Sequence, residues 1–128
     1  MKLSIIIPIF NEKNTILNLL NLIEKQVGIK KQILLVDDKS TDDSLHKIKN
    51  FDFKSDFNII EHTINKGKGA CIKTAKKHIN GDIVLIQDAD LEYSPDDYYN
   101  LVKPIIEKKV NVVYGSRVLG KNRYVNKH

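Results

Sequence analysis

Short apolar blocks alternate along the chain with segments in which apolar residues recur every three or four positions. A short block that is apolar on both faces is typical of a strand buried in a parallel sheet, whereas the longer recurrence is typical of an amphipathic helix. The blocks predict five strands, at residues 2–9, 32–36, 58–61, 83–87 and 111–114. Strands and helices in alternation predict an α/β protein with a mainly parallel sheet and helices on both faces. We expect the strand at 83–87 to lie near the centre of that sheet.

Four helices are expected between these strands. The apolar stripe of the first one includes Val27, and Gly28 is expected to end it. Pro8 has no N–H group to donate, so we expect pairing of the first strand to stop there. The first predicted helix spans residues 12 or 14 to 27, and the second begins after a cap at Ser40 or Thr41. The third spans residues 69–78, and the fourth begins at Ser94.

Polar side chains follow several of the predicted strands. In a parallel sheet whose strands each lead into a helix, these loops all leave at one edge, and ligands of such sheets bind there. We therefore predict a cleft at the carboxyl edge formed by Glu12, Asp38, Asp88, Asp90 and Arg117.

Three acids, Asp88, Asp90 and Glu92, alternate with other residues directly after the strand at 83–87. Residues two apart in an extended segment point the same way, so the first two carboxylates can converge on one point. Carboxylate oxygens suit Mg²⁺ or Mn²⁺, and Mg²⁺ commonly adds phosphate oxygens to one or two carboxylates. The pattern alone leaves a metal site and a solvated acidic turn open.

Two glycines separated by a lysine, Gly67 and Gly69, precede the third predicted helix. They suit a tight turn, and the N–H groups at the helix start could meet an anion. Taken alone, this segment favours the simpler interpretation, a turn with solvated lysines.

Composition narrows the classes of protein. The chain has 128 residues, of which 41% are hydrophobic and 29% charged, which is typical of one soluble globular domain. It has no apolar run of membrane-spanning length, and its first residues do not resemble a signal peptide. The single Cys71 excludes an internal disulfide and is expected to be a small buried residue on a helix. A cytoplasmic location is the expectation, with a peripheral position at the cytoplasmic membrane face left open.

The net charge of +5 comes from 21 Lys and Arg against 16 Asp and Glu, and it favours anionic partners. Nucleic acid is not expected, because no aromatic residues interleave the lysines around residues 66–77. A dinucleotide oxidoreductase fits poorly, since no G-x-G-x-x-G follows the first strand. A phosphoacceptor receiver domain also fits poorly, because the third strand ends at Glu61 and His62 rather than at an aspartate.

Five segments resemble the family 2 glycosyltransferases, which have the GT-A fold, and most of all their dolichyl-phosphate mannose synthase and polyprenyl-phosphate glycosyltransferase branch. Together they cover most of the chain in the family's order. The matching segments are residues 4–12 (P-x-[YF]-N-E), 36–42 (V-D-D-x-S-x-D), 65–70 (N-x-G-x-G-A), 87–91 (D-A-D) and 114–117 (G-[ST]-R). The resemblance implies a Rossmann-like three-layer α/β/α sandwich.

The resemblance also implies a role for individual residues. The carboxylates of Asp88 and Asp90, with Ala89 between them, would hold a diphosphate and its Mg²⁺ or Mn²⁺ ion. Glu92 would be a further metal ligand, and Arg117 would face a phosphate of the donor or the acceptor. Asp88, Asp90 and Arg117 would be the catalytic residues. The rest of the nucleotide-sugar pocket would consist of Pro8, Phe10, Glu12, Val36 and Asp38.

The activity implied is an inverting transfer from a UDP- or GDP-sugar to an acceptor, most of all a polyprenyl (dolichyl-type) phosphate at a membrane surface. Such an acceptor needs no general base, because its oxygen is already ionised near pH 7. Relatives continue well past the G-[ST]-R strand, so residues 1–128 are expected to be the nucleotide-sugar-binding part of a truncated glycosyltransferase domain. Two alternatives stay open: a donor-binding fragment without turnover, and a transferase acting on a glycan or polysaccharide hydroxyl.

Overall fold

The computed structural model describes residues 1–90, Pro95 and Tyr98, together with the backbone of residues 112–115. Apart from Pro95 and Tyr98, the predicted fourth helix lies outside the described residues, as do the site residues Glu92 and Arg117. The elements are β1 (Lys2–Ile9), α1 (Ile16–Glu24), β2 (Lys30–Asp37), α2 (Ser44–Lys49), β3 (Asp56–Glu61), α3 (Lys68–Lys76), β4 (Ile83–Gln87) and β5 (Val112–Gly115).

The five strands form one parallel sheet in the order β3-β2-β1-β4-β5. The predicted parallel α/β architecture is thereby confirmed. β4 is an interior strand, as expected, although β1 holds the middle position. The chain moves outward from β1 to β2 and β3, and then crosses to β4 on the other side of β1. This change of direction leaves a crevice between the carboxyl ends of β1 and β4, where ligands of open parallel sheets bind.

Alternate residues of β1 pack into two separate cores. Ile5 and Ile7 belong to the core beneath α1 and α2, which contains Ile16 and Ile48. Ile6 belongs to the core beneath α3 together with Cys71 and Ala75. Because successive strand residues face opposite sides of a sheet, a strand buried on both faces is apolar throughout. The expected three layers and the expected burial of Cys71 on a helix are therefore confirmed.

The predicted last residue of the first helix and the predicted start of the second helix were wrong. α1 ends at Glu24, and Val27, assigned to its buried stripe, is 86% exposed because the chain has already left the helix. α2 begins at Ser44 rather than after a cap at Ser40 or Thr41. Those two residues instead bond to Asn11 of the preceding loop. Ser40 Oγ accepts from the backbone N–H of Asn11, and the N–H of Thr41 donates to the side-chain Oδ1 of Asn11.

Pairing of β1 ends before Pro8 on one side of the strand and continues past Pro8 on the other. The ladder with β4 ends at Ile6, but the ladder with β2 continues to Ile9 opposite Asp37. The carbonyl of Ile9 accepts from the N–H of Asp38, so Ile9 bonds towards the β2 side. Because alternate residues bond alternate neighbours, the missing N–H of Pro8 falls on the β4 side, where no ladder bond is lost.

Gly81 approaches the amino end of β1 so closely that a side chain there would collide. Its N–H donates to Ser4 Oγ at 2.8 Å, and an added Cβ would lie 2.5 Å from that oxygen and 2.8 Å from the carbonyl oxygen of Lys2. We expect Gly81→Ala to lower the free energy of unfolding by about 2 kcal/mol, measured by urea denaturation. Gly69→Ala is the matched control, because nothing lies within 4 Å of a Cβ at that helical position. Similar stability of both variants would contradict the collision.

Candidate functional site

A pocket opens at the carboxyl ends of β1 and β4. The described residues that line it are Pro8, Ile9, Phe10, Glu12, Asp38, Lys68, Cys71, Asp88, Ala89 and Asp90. Seven of the predicted site residues are among them. The side chain of Val36, also predicted at the nucleotide, is fully buried in the core beneath α3, so its part in the site stays a prediction. The predicted convergence of Glu12, Asp38, Asp88 and Asp90 on one edge is observed.

The loop after β1 owes its shape to Asn11. Its φ of 54° is a left-handed conformation that asparagine tolerates better than most residues. Its side-chain oxygen accepts from the N–H groups of Thr41 and Asp42, at 2.8 and 3.2 Å, and so joins this loop to the one after β2. The two loops that supply Phe10 and Asp38 to the pocket therefore hold each other in place. Sequence reasoning assigned no role to Asn11, although an asparagine directly after a strand signals a tight turn.

Glu12 lies in an acidic environment. Burial raises the pKa of its carboxyl, the neighbouring Asp90, Asp42 and Asp88 carboxylates raise it further, and a hydrogen bond from Thr15 opposes them. The Thr15 hydroxyl also donates to the carbonyl oxygen of Ala89 at 2.7 Å, which fastens the start of α1 to the Asp88–Asp90 segment. The acids of the pocket thus interact with one another electrostatically, which favours a bound cation.

Asp38 is the most heavily bonded acid of the site and is only 4% exposed. Its two oxygens accept from the backbone N–H groups of Lys66 and Gly67, each at 2.8 Å, and Oδ1 lies 2.8 Å from Nδ1 of His62. Nε2 of His62 in turn lies 2.8 Å from the Thr74 hydroxyl. Sequence reasoning missed His62, since a histidine after an edge strand carries no pattern of its own.

These bonds correct the expectation about the glycine-rich turn. The turn is not simply a solvated one, because two of its N–H groups bind an anion, and that anion is the chain's own Asp38. Gly67, with a φ of 93°, provides the backbone conformation that directs both N–H groups to one carboxylate.

Burial by itself raises the pKa of Asp38, but the hydrogen bonds from His62, Lys66 and Gly67 outweigh it, so the pKa lies below the ordinary 3.8. A carboxylate with a lowered folded-state pKa stabilises the fold at pH values above its unfolded pKa and loses that contribution as the pH falls through the folded one. We expect the stability difference between wild type and Asp38→Asn to be constant near neutral pH and to shrink as the pH is lowered below 3.8. Urea denaturation across this range would measure it, and a difference that does not change with pH would contradict it.

The segment after β4 presents two carboxylates. Asp88 accepts from the Lys68 ammonium, while Asp90 is exposed at the pocket. The segment rests on a buried pair, in which the Tyr98 hydroxyl donates to Gln87 Oε1 at 2.8 Å, and Gln87 Nε2 donates to the Asp88 carbonyl at 3.1 Å. Carboxylate oxygens on a supported segment, already attracting a lysine, fit Mg²⁺ or Mn²⁺.

A second cluster, Asp38, His62 and Cys71, brings its potential ligand atoms within 4.8 Å of one another. The polar atoms of Asp38 and His62 already have hydrogen-bond partners in Lys66, Gly67 and Thr74. Burial, together with the nearby Asp38 and Asp37 carboxylates, raises the pKa of the Cys71 thiol to about 11, so the thiol is protonated at neutral pH. The cluster is thus a hydrogen-bonded support for Asp38.

Parallel strands, a crevice beside β1 and polar side chains converging on it place the chain among the open α/β proteins that bind ligands at the carboxyl edge of the sheet. The sequence model of glycosyl transferase family 2 matches residues 4–128, so the chain belongs to this family. Its fold matches GT-A glycosyltransferase structures, as predicted.

Among characterised relatives, the chain is 30% identical over 118 residues to the dolichol-phosphate mannosyltransferase of Pyrococcus furiosus, covering 91% of this chain and 33% of the relative. The mannosyltransferase PcManGT of Pyrobaculum calidifontis, solved with GDP-Man and Mn²⁺, superposes with a TM-score of 0.76 at 29% identity, covering 84% and 33% of the two chains. S. aureus TarS 1–349 with UDP-GlcNAc gives a TM-score of 0.73 at 29% identity, covering 84% and 32%.

The chain spans about a third of the length of these relatives. In the part of the chain that the structure describes, no helix combines the length and apolarity needed to cross a bilayer.

Proposed function

We propose that this chain is the donor-binding part of a metal-dependent, inverting glycosyltransferase that transfers a sugar from a nucleoside diphosphate to a polyprenyl phosphate. The observation that carries the proposal is the convergence of Glu12, Asp38, Asp88 and Asp90 on the crevice beside β1. Relatives with the same fold were solved with GDP-Man and with UDP-GlcNAc, which supports a nucleotide-sugar donor here.

The residues that line the pocket suit both the nucleoside and the diphosphate of such a donor. Asp38, held by backbone N–H groups and by His62, is a fixed carboxylate that can accept hydrogen bonds from a base or ribose. Phe10 is 45% exposed at the pocket and offers an apolar surface to the nucleoside. Asp88 and Asp90 follow β4, which flanks β1 on the side away from β2 and Asp38, and they would face the diphosphate.

Asp88 and Asp90 are the residues that would hold Mg²⁺ or Mn²⁺, with Glu92 as a third candidate ligand. The ion would supply charge neutralisation for the departing nucleoside diphosphate. The chain's own contribution is to fix these carboxylates through Gln87, Tyr98 and Thr15, so that little reorganisation is needed when the donor binds. Arg117 would add a positive charge for a phosphate of the donor or acceptor.

A polyprenyl phosphate is the acceptor that fits best with the relative from P. furiosus, a dolichol-phosphate mannosyltransferase. Its phosphate oxygen is ionised near pH 7 and can attack without a general base. The protein would then work in the cytoplasm, at the cytoplasmic face of the membrane. A glycan hydroxyl is the alternative acceptor, and donor binding without turnover is the alternative for this short chain.

The test is calorimetric titration of the chain with GDP-mannose, UDP-glucose and UDP-N-acetylglucosamine, in Mn²⁺ and in EDTA. We expect one of these donors to bind in Mn²⁺ and to lose at least about tenfold in affinity in EDTA, because the carboxylates and the diphosphate then meet without a divalent cation. A parallel assay of sugar transfer to a short polyprenyl phosphate separates turnover from binding alone. Absence of binding by every nucleotide sugar to the folded chain would refute the proposal.

A further inference from the structure

The Lys68 side chain already occupies one carboxylate of the pair to which we assign the metal. Its ammonium donates to Asp88 Oδ1, and both residues line the pocket together with Glu12 and Asp90. The side chain of Lys68 is 47% exposed and that of Asp88 21% exposed. A cation of the chain itself thus lies where a divalent ion would have to approach.

We propose that Lys68 is an internal counter-cation that competes with the divalent metal for Asp88 and so makes metal binding conditional on the donor. This inference rests on the proposed function, because it assumes that Asp88 and Asp90 hold the metal of a nucleotide-sugar site.

The position of Lys68 follows from the turn that precedes it. Asp38 binds the N–H groups of Lys66 and Gly67, and the Gly67 carbonyl accepts from the N–H of Cys71 in the first turn of α3. These bonds fix the start of α3, and Lys68 is its first residue. The ammonium is therefore carried by an anchored helix end, and it reaches Asp88 directly after β4.

The competition follows from the charges. Without the donor, a metal ion gains the carboxylates of Asp88 and Asp90 but must separate Asp88 from Lys68. An ion pair with this exposure is weak, so removing the lysine should raise metal affinity in the free protein by only about three- to tenfold. With the donor present, its diphosphate supplies about two further negative charges, which attract the metal and compensate the displaced ammonium.

This arrangement predicts a measurable coupling between metal and donor. Affinity for Mn²⁺ should rise when the donor is bound, and affinity for the donor should rise by the same factor when Mn²⁺ is bound. Lys68 enlarges that factor because it weakens metal binding only in the donor-free protein. Removing Lys68 should therefore shrink the coupling factor by about the same three- to tenfold.

The experiment compares wild type, Lys68→Met, Lys68→Arg and Lys66→Met by titrating Mn²⁺ with and without a bound nucleotide sugar, following free Mn²⁺ by electron paramagnetic resonance. Lys66→Met is the matched control: it removes the same charge from the same turn, and the contact of Lys66 with Asp38 is made by its backbone N–H. We expect tighter Mn²⁺ binding to donor-free Lys68→Met, wild-type behaviour from Lys68→Arg, and less than about a twofold change in Lys66→Met.

Unchanged or weaker Mn²⁺ binding by donor-free Lys68→Met would overturn the proposal, and so would an equal increase in Lys66→Met, which would indicate a general charge effect. Either result leaves the proposed function standing if wild type still binds the donor and Mn²⁺ together. Failure of wild type to bind Mn²⁺ even with a nucleotide sugar would instead remove both proposals.

Discussion

Asp90→Asn should abolish most of the Mn²⁺-dependent binding of a nucleotide sugar. The substitution keeps the shape of the side chain but removes the charge that a hard divalent cation prefers. Asp90 lies beyond the end of β4 and is exposed, so the sheet should remain intact. Like charges at contact distance repel by about 1–4 kcal/mol per pair in solvated surroundings, and a metal ion converts that repulsion between carboxylates and diphosphate into attraction. We expect an affinity loss of at least about tenfold in calorimetry, and Asp90→Ala should be no better.

Asp43→Asn is the control for Asp90→Asn, because Asp43 is also exposed and makes no side-chain capping bond at the start of α2. It should bind donor as wild type does. If Asp90→Asn also retained wild-type affinity in Mn²⁺, or if wild type bound equally well in EDTA, the acids after β4 would be a solvated turn and the metal assignment would be lost.

Asp38→Ala should lower the free energy of unfolding by about 3 kcal/mol. The substitution leaves the N–H groups of Lys66 and Gly67 without their acceptor and removes the buried partner of His62. Because those N–H groups form the turn into α3, donor affinity should fall as well, even at a temperature where the variant is fully folded. Urea denaturation gives the first quantity and calorimetry the second.

Asp43→Ala again serves as the control for Asp38→Ala and should change stability by less than about 0.5 kcal/mol. A loss below about 1 kcal/mol in Asp38→Ala would show that water replaces the carboxylate at little cost. That outcome would contradict the role of Asp38 as the anchor of the glycine-rich turn.

The sequence predicted the strands well, because a strand buried on both faces is apolar at every position. It missed the ends of helices where a local signal competed with a distant contact. Ser40 and Thr41 look like helix caps, yet they bond to Asn11, about thirty residues earlier in the chain. Val27 fits the helical period, but α1 ends before it, and a period by itself does not say where a helix stops.

The sequence by itself determined the parallel sheet, the edge at which its loops gather, and the acids that follow its strands, because periodicity and strand order are properties of the chain alone. Only the tertiary structure decided which polar groups pair with each other in hydrogen bonds and ion pairs. Asp38 and His62 are 24 residues apart, Thr15 and the Ala89 carbonyl 74, and Lys68 and Asp88 20. No local propensity specifies such pairs, because each bond depends on where two packed elements place their ends to within a fraction of an ångström.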